Sequence, residues 1–280
     1  MLVFQRSLRS FLISLWRISL KMNNDLLPTI SVVVPVLNNK NGLRQCLDSV
    51  ISQQYEHLEI AVIDGGSSDG TLEVISDFEH VIAYTESNQD RGISDAFNRG
   101  IKATTGELVA VLNSDDFWTG CTIKILLEAI ERNPVGDIYS GQIRFVDSST
   151  GRSYLRSPDL RRMERRMNLF HPALFVRRSC YDQVGMYSED YQFAMDADWC
   201  HRAMKSNVRF AFVDGVLANM VLGGKSDVHY KKSLEEYRRS LVNNDISGPF
   251  LAGCYFYVGC LMKWLTSFYF IRLAKQLVLR

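Results

Sequence analysis

The sequence predicts an α/β fold, a mainly parallel sheet with helices on both faces. Three observations predict it. Short β-branched apolar runs recur through residues 30–132, each is followed by apolar residues at helical spacing, and polar clusters stand where the runs end. Strands that alternate with amphipathic helices pack as a sheet covered on both sides, and such sheets bind ligands beyond the carboxyl ends of their strands.

Ile30 to Val36 (ISVVVPV) reads as a buried strand. After it, Leu43, Cys46, Leu47, Val50 and Ile51 form the stripe of a helix packed on a sheet. Leu58 to Ile63 is a second strand, ending in Asp64-Gly65-Gly66-Ser67-Ser68-Asp69-Gly70-Thr71, and the next helix carries Leu72, Ile75 and Phe78. Val81 to Tyr84 is the third strand, and Ile93, Ala96, Phe97, Gly100 and Ile101 repeat the helical stripe. Glu107 to Leu112 is the fourth, running into Asn113-Ser114-Asp115-Asp116. Further on, Asp137 to Val146, Leu169 to Val176 and Phe210 to Val213 read as strands added to the same sheet, with a helix from about Asp196 to Ser206. The organisation expected is a basic amphipathic segment over 1–28, one domain over 29–245 with halves at 29–132 and 133–245, and an apolar, basic helical segment over 246–280.

Bulk properties narrow the function. A net charge of +1 on 280 residues gives no field for general nucleic-acid binding, so none is expected. Six cysteines without a CxxC pair or zinc spacing read as reduced thiols, which favours the cytoplasm. The apolar runs within residues 1–22 are too short and too interrupted by Arg6, Arg9, Arg17 and Lys21 for a signal peptide, so no export is expected. From Pro249 the chain is apolar and aromatic, but Lys263, Arg272 and Lys275 break it before a span accumulates. Tyr255, Tyr257, Trp264 and Tyr269 beside cations suit a segment lying at the inner face of the cell membrane. A helix packed on its own domain or on a partner chain, and a true span, are the alternatives.

Three clusters could carry chemistry. Asn113-Ser114-Asp115-Asp116 places hard oxygen donors at a strand end, where they suit Mg²⁺ or Mn²⁺ bridging phosphates, or they merely cap the next helix. Asp64 to Thr71 offers an acid and small residues that let backbone approach a ligand, or an ordinary turn; it lacks the Gly-Lys-Ser/Thr ending of a phosphate loop. Glu86 to Gly100 puts Asp90 and Arg91 at a helix entrance and Asp95 and Asn98 on one helical face, or is a solvated face with an Asp95–Arg99 pair. Arg161, Arg162, Arg165 and Arg166 form a basic cluster on an expected helix, and Gly223-Gly224-Lys225-Ser226 before His229 reads as a flexible surface loop.

The ordered set VVVPVLN, IDGGSSDGT, ESNQDRGISDAFNRGI, GELVAVLNSDD, HPALFVRR and MDADWCHRA resembles family-2 glycosyltransferases of the GT-A fold, particularly those that assemble bacterial surface polysaccharides. The resemblance covers roughly residues 30–215 and implies an inverting, metal-dependent transfer from a nucleotide-sugar donor, a UDP-sugar, to a saccharide acceptor linked to a polyprenyl diphosphate. By it, Pro35, Val36 and Asn38 border the nucleotide, Asp64 contacts base or ribose, and Asp90, Arg91, Asp95 and Asn98 lie near the diphosphate and sugar. Asn113-Ser114-Asp115 fills the family's Asp-x-Asp slot, which makes Asp115 the metal ligand with Asp116 second, and leaves Asn113 and Ser114 to the ribose or sugar. Asp196 matches the catalytic base, Asp198 a supporting acid or helix-terminal charge, and His171 a recurrent position near phosphates or acceptor. Residues 29–132 then bind nucleotide and 133–245 acceptor. The chain departs from the common Asp-Asp-Gly-Ser pattern at Gly65. Two rivals remain: a sugar nucleotidyltransferase, whose Gly-rich basic loop is missing from VVVPVLNNKNG, and a non-catalytic saccharide-binding protein on the same fold.

Overall fold

The computed structural model describes residues 27–148, 150–224 and 228–278, with side chains as far as Leu265. The N-terminal basic segment, apart from its last two residues, and Lys225 and Ser226 lie outside the described residues. In chain order the elements are β1 (Ile30–Val36), α1 (Lys40–Ile51), β2 (Leu58–Asp64), α2 (Thr71–Asp77), β3 (Tyr84–Ser87), α3 (Ile93–Ala103), β4 (Leu108–Val111), β5 (Phe117–Trp118) and α4 (Thr122–Arg132). There follow β6 (Ile138–Val146), β7 (Ser153–Arg156), β8 (Leu174–Arg177), α5 (Ser179–Val184), α6 (Met195–Lys205), β9 (Phe210–Val221), α7 (Tyr230–Asn243) and α8 (Pro249–Val278).

One sheet runs through both halves in the order β3-β2-β1-β4-β8-β6-β9-β5, with β7 paired to β6. Strand β1 lies parallel to β2 and β4, β2 to β3, and β6 to β9. Strand β8 is antiparallel to both β4 and β6 and joins the two parallel groups. Because side chains alternate across a strand, β1 feeds two cores. Val32, Val34 and Val36 pack with α1, α2 and α4, whereas Val33 packs on the other face with Phe97 of α3 and Trp199 of α6. Helix α3 approaches β1 so closely that a Cβ on Gly100 would collide with Val33. A smaller cluster of Ala194, Ala197, Tyr237, Leu241 and Ala252 fastens α7 and α8 to the start of α6.

Four expectations are corrected. The third strand is shifted to Tyr84–Ser87, because Val81 and Ile82 sit in the turn after α2 and pack against the core from there. Pro172 cannot donate to a ladder, so Leu169–Ala173 forms a loop and a single 3₁₀ turn, His171–Ala173, before β8 begins. The strand expected over Phe210–Val213 continues to Val221 as β9, because Asp214 and Gly215 are absorbed in a register irregularity opposite Ser140–Ile143. The arginine cluster is no α-helix: Asp159 caps a 3₁₀ turn at Leu160–Arg162, and Tyr237 and His201 pin Met163 directly after it.

Candidate active site

The ends of β1 and β4 and the loop after β3 open into one cleft of about 850 Å³, whose opposite wall is the start of α6 and the end of β9. Pro35, Val36, Asp90, Arg91, Asn113 and Ser114 line it, as do Asp115, Asp116, His171 and Asp196. Strand ends gather the residues from Pro35 to Asp116 because each parallel strand delivers its following loop to the same edge of the sheet, and antiparallel β8 brings its preceding turn, with His171, to that edge.

After β4 the chain closes a tight turn, Asp116 N–H donating to Asn113 C=O at 2.9 Å. Asp115 is exposed to the cleft, while Asp116 is buried. Asp116 Oδ1 accepts from Val221 N–H at 3.2 Å, but its Oδ2, like Asn113 Oδ1, is buried with no partner among the described residues. Burial, and then the charge of Asp115, push the Asp116 carboxyl up to about 8. A nearby cation reverses that logic by favouring the carboxylate. The exposed carboxylate and two unpartnered oxygens fit a hard divalent ion. Among the described residues no three His, Cys, Asp or Glu side chains surround one point, so phosphate oxygens and water would have to complete such a shell. Ser114 is committed to the scaffold, its Oγ accepting from Asn39 Nδ2 at 3.1 Å.

Asp196 stands in the first turn of α6, where the helix dipole favours an acid. Its Oδ1 accepts from Ala197 N–H at 2.8 Å and its Oδ2 lies 3.4 Å from His171 Nδ1. Burial alone would lower the His171 pKa; the hydrogen bond and charge of Asp196, with the charges of Asp116 and Asp115, outweigh it and raise the value. His171 thus sits electrostatically between the oxygens after β4 and the acid of α6. Its Nε2 is buried and unpartnered.

Five expected site residues are placed elsewhere. Asp64 is fully buried and absent from the cleft: it accepts from Ser67 N–H at 3.0 Å, Gly66 N–H at 3.2 Å, Ser87 Oγ at 2.6 Å and Ser67 Oγ, and so shapes the loop after β2. Asn38, in a left-handed conformation, braces the same loop through Ser67 Oγ and Ser68 N–H. Asn98 is buried and clips α3 to the backbone of Tyr187 with two hydrogen bonds of 2.8 and 2.9 Å. Asp95 is taken up by Arg91 at 3.0 Å and Arg99 at 3.6 Å. Burial would raise its pKa, but the hydrogen bonds from Arg91 and both arginine charges lower it. Asp198 is buried and holds Arg202 at 2.9 Å and Asn244 at 3.1 Å. Arg91 does reach the cleft rim, where it also bridges to Glu189 at 3.0 Å.

Two features escape sequence reasoning. Glu236 of α7 accepts hydrogen bonds from three successive backbone N–H groups, Gln192 at 3.0 Å, Phe193 at 2.7 Å and Ala194 at 2.9 Å. It thereby holds the loop that leads into Asp196. One glutamate in the polar run KKSLEEYRR offers no signal for this. At the far rim, Tyr154 of β7 stacks on Phe145 of β6 at 5.1 Å, with the Arg156 guanidinium 5.7 and 5.9 Å from the two ring centres.

Comparison with known proteins agrees with this architecture. The model of the family described as Glycosyl transferase family 2 matches residues 31–202. A PGL/p-HBAD biosynthesis glycosyltransferase of Mycobacterium bovis is 30% identical over 178 residues, 61% of this chain and 68% of that protein. Glycosyltransferase GlyA of Streptococcus pneumoniae is 36% identical over 128 residues, 45% of this chain and 18% of that protein. Among solved structures, S. aureus TarS 1-349 in complex with UDP-GlcNAc superposes with a TM-score of 0.61 at 18% identity, covering 80% of this chain and 69% of that one. The mannosyltransferase PcManGT from Pyrobaculum calidifontis, in complex with GDP-Man and Mn²⁺, gives 0.61 at 17% identity, covering 90% and 81%.

Proposed function

The chain belongs to glycosyl transferase family 2 and is a glycosyltransferase of GT-A-like fold, and from that premise we propose an inverting, metal-dependent transfer of a sugar from a UDP-sugar to a saccharide acceptor carried on a lipid diphosphate, in assembly of a bacterial surface polysaccharide. The observation that carries this reading is the meeting, in one cleft, of the free oxygens after β4 with Asp196 beside His171.

Asp115 would hold Mn²⁺ or Mg²⁺, with Asp116 and Asn113 supplying further oxygens. When bound, the cation offsets the charge that develops on the departing diphosphate. Asp196 takes the proton of the acceptor hydroxyl as that oxygen bonds to the anomeric carbon. The bond from that carbon to the diphosphate oxygen breaks on the opposite face, so configuration inverts. His171 keeps the Asp196 carboxylate aimed, and the Tyr154–Phe145 stack offers an apolar face for an acceptor ring.

In this reading residues 29–132 bind the nucleotide, 133–245 receive the acceptor, and 246–280 rest on the inner membrane surface. Among the described residues no helix is long and apolar enough to cross a membrane. Exposed Phe250, Tyr257 and Leu261 on α8 support a surface association, since apolar side chains in water gain by entering a headgroup boundary.

The test is a panel of nucleotide-sugar donors with Mn²⁺, scored by release of the nucleoside diphosphate. Turnover of one donor by the native chain and its loss in Asp115→Ala are expected. Metal-independent saccharide binding with no turnover of any donor would favour a non-catalytic binding protein instead.

A further inference from the structure

Gly65, directly after β2, lies against Asp90, which lines the cleft from the loop after β3. A Cβ on Gly65 would stand 2.6 Å from Asp90 Oδ2, nearer than a real Cβ comes to other atoms, and a tight 3.1 Å from its Cγ. The φ of Gly65 is not in the left-handed region, so the backbone does not demand glycine there. The demand comes from the carboxylate lying against its α-carbon. Asp90 is fixed from the other side, Oδ1 accepting from Gly92 N–H at 3.1 Å. Oδ2 is left without a hydrogen-bond partner among the described residues, on a cleft wall shared with Pro35 and Leu37.

Strand order determines what this wall faces. Across β3-β2-β1-β4-β8, the cleft passes from Asp90 through Leu37 and Asp115 to His171 and Asp196. A nucleotide sugar carries its diphosphate between nucleoside and sugar. With the diphosphate at Asp115 and the sugar before Asp196, the nucleoside extends toward Asp90. Asp64, the acid at this end that the sequence singles out, is sealed beneath the surface with its oxygens occupied.

Resting on the donor reading above, we infer that Asp90, seated on Gly65, recognises the base of the donor by accepting a hydrogen bond from a ring N–H. A carboxylate offers only acceptors, so it suits the imide N–H of uracil or the ring N–H of guanine. Cytosine presents a lone pair at the matching ring position and is rejected, because two acceptors then face each other without water. Gly65 and Asp90 are therefore one determinant split between two loops.

The experiment is calorimetric titration of the full chain with Mn²⁺ and, in turn, UDP, GDP, CDP and inorganic pyrophosphate. The native protein should bind UDP or GDP at least about tenfold more tightly than CDP, the scale of one well-placed hydrogen bond. Asp90→Ala and Gly65→Ala should each lose about tenfold for the favoured nucleotide while pyrophosphate binding is unchanged. Asp90→Asn, whose amide can donate, should narrow the gap to CDP. The double variant should bind no more weakly than Asp90→Ala, because alanine at 65 acts only by displacing this carboxylate. Additive losses, native affinity in Asp90→Ala, or an equal loss for pyrophosphate would each overturn the assignment. If the native chain bound pyrophosphate but no nucleoside diphosphate more tightly, the donor reading itself would fall and this assignment with it.

Discussion

His171 Nδ1 lies 3.4 Å from Asp196 Oδ2, and this contact links the loop before β8 to the first turn of α6 across the floor of the cleft. Asp196→Asn keeps the shape of the side chain and removes its capacity to take a proton. Transfer should fall by about 10²- to 10⁴-fold while donor binding stays intact. His171→Gln should lower kcat by up to about 10²-fold through misaimed geometry, with the donor KM little changed. Full turnover by Asp196→Asn in a nucleoside-diphosphate release assay would remove the base assignment.

The oxygens after β4 give a second prediction. Chelation by EDTA should abolish transfer, and Mn²⁺ or Mg²⁺ should restore it. Asp115→Ala should lose about 10²-fold or more even at saturating Mn²⁺, since the cation then keeps only the weaker ligands at Asp116 and Asn113. Unimpaired activity in EDTA would end the metal-dependent reading.

Glu236 reaches 42 to 44 residues back along the chain to hold Gln192, Phe193 and Ala194. Glu236→Ala leaves these N–H groups without their acceptor and should cost about 1–3 kcal/mol of stability, read as a lowered Tm. Because Ala194 is two residues before Asp196, kcat should fall more than the stability loss explains at a temperature where the variant is folded. A variant with lowered Tm but native kcat would show that the clasp is structural only.

His201 yields a pH prediction. It lies on α6, fully buried against Ser240 and Met163, and burial pushes its pKa down from 6.5 to about 4. The unfolded chain therefore binds a proton that the folded chain refuses between these values. The resulting stability is fully present above pH 6.5 and is lost as pH falls toward 4, amounting to about 3 kcal/mol. Denaturant unfolding of the native chain and His201→Gln from pH 7 to 4 should show the native chain losing more. Parallel pH profiles would refute this.

Helix α8 exposes Phe250, 87% accessible, together with Tyr257 and Leu261. Replacing all three with serine should weaken co-sedimentation with anionic lipid vesicles at least about tenfold, given roughly 0.8 kcal/mol for each methylene withdrawn from water. Donor turnover in detergent-free buffer should be unaffected. Unaltered sedimentation would point to a protein partner for that face.

By itself the sequence determined the alternation of strand and helix and the edge at which ligands must bind. The runs ISVVVPV, LEIAVI and ELVAVL declare their burial locally, and the topology then sends the loops carrying Asp90, Asp115 and Asp116 to one cleft. Asp196 was reached only through the resemblance of MDADWCHRA to the family's motif, and the fold sets it in the first turn of α6, where the helix dipole favours an acid. Only tertiary structure decided which polar residues remained free. Asp64 and Asp90 look equally available in the sequence, yet Ser67 and Ser87 close around the first, while Gly65 makes room for the second. Asn98 was drawn out of the site by the backbone of Tyr187, 89 residues away. Spacing encodes which face a side chain takes, but its burial and hydrogen-bond partners are set by segments far apart in the chain, and these decide whether an acid meets a ligand or its own scaffold.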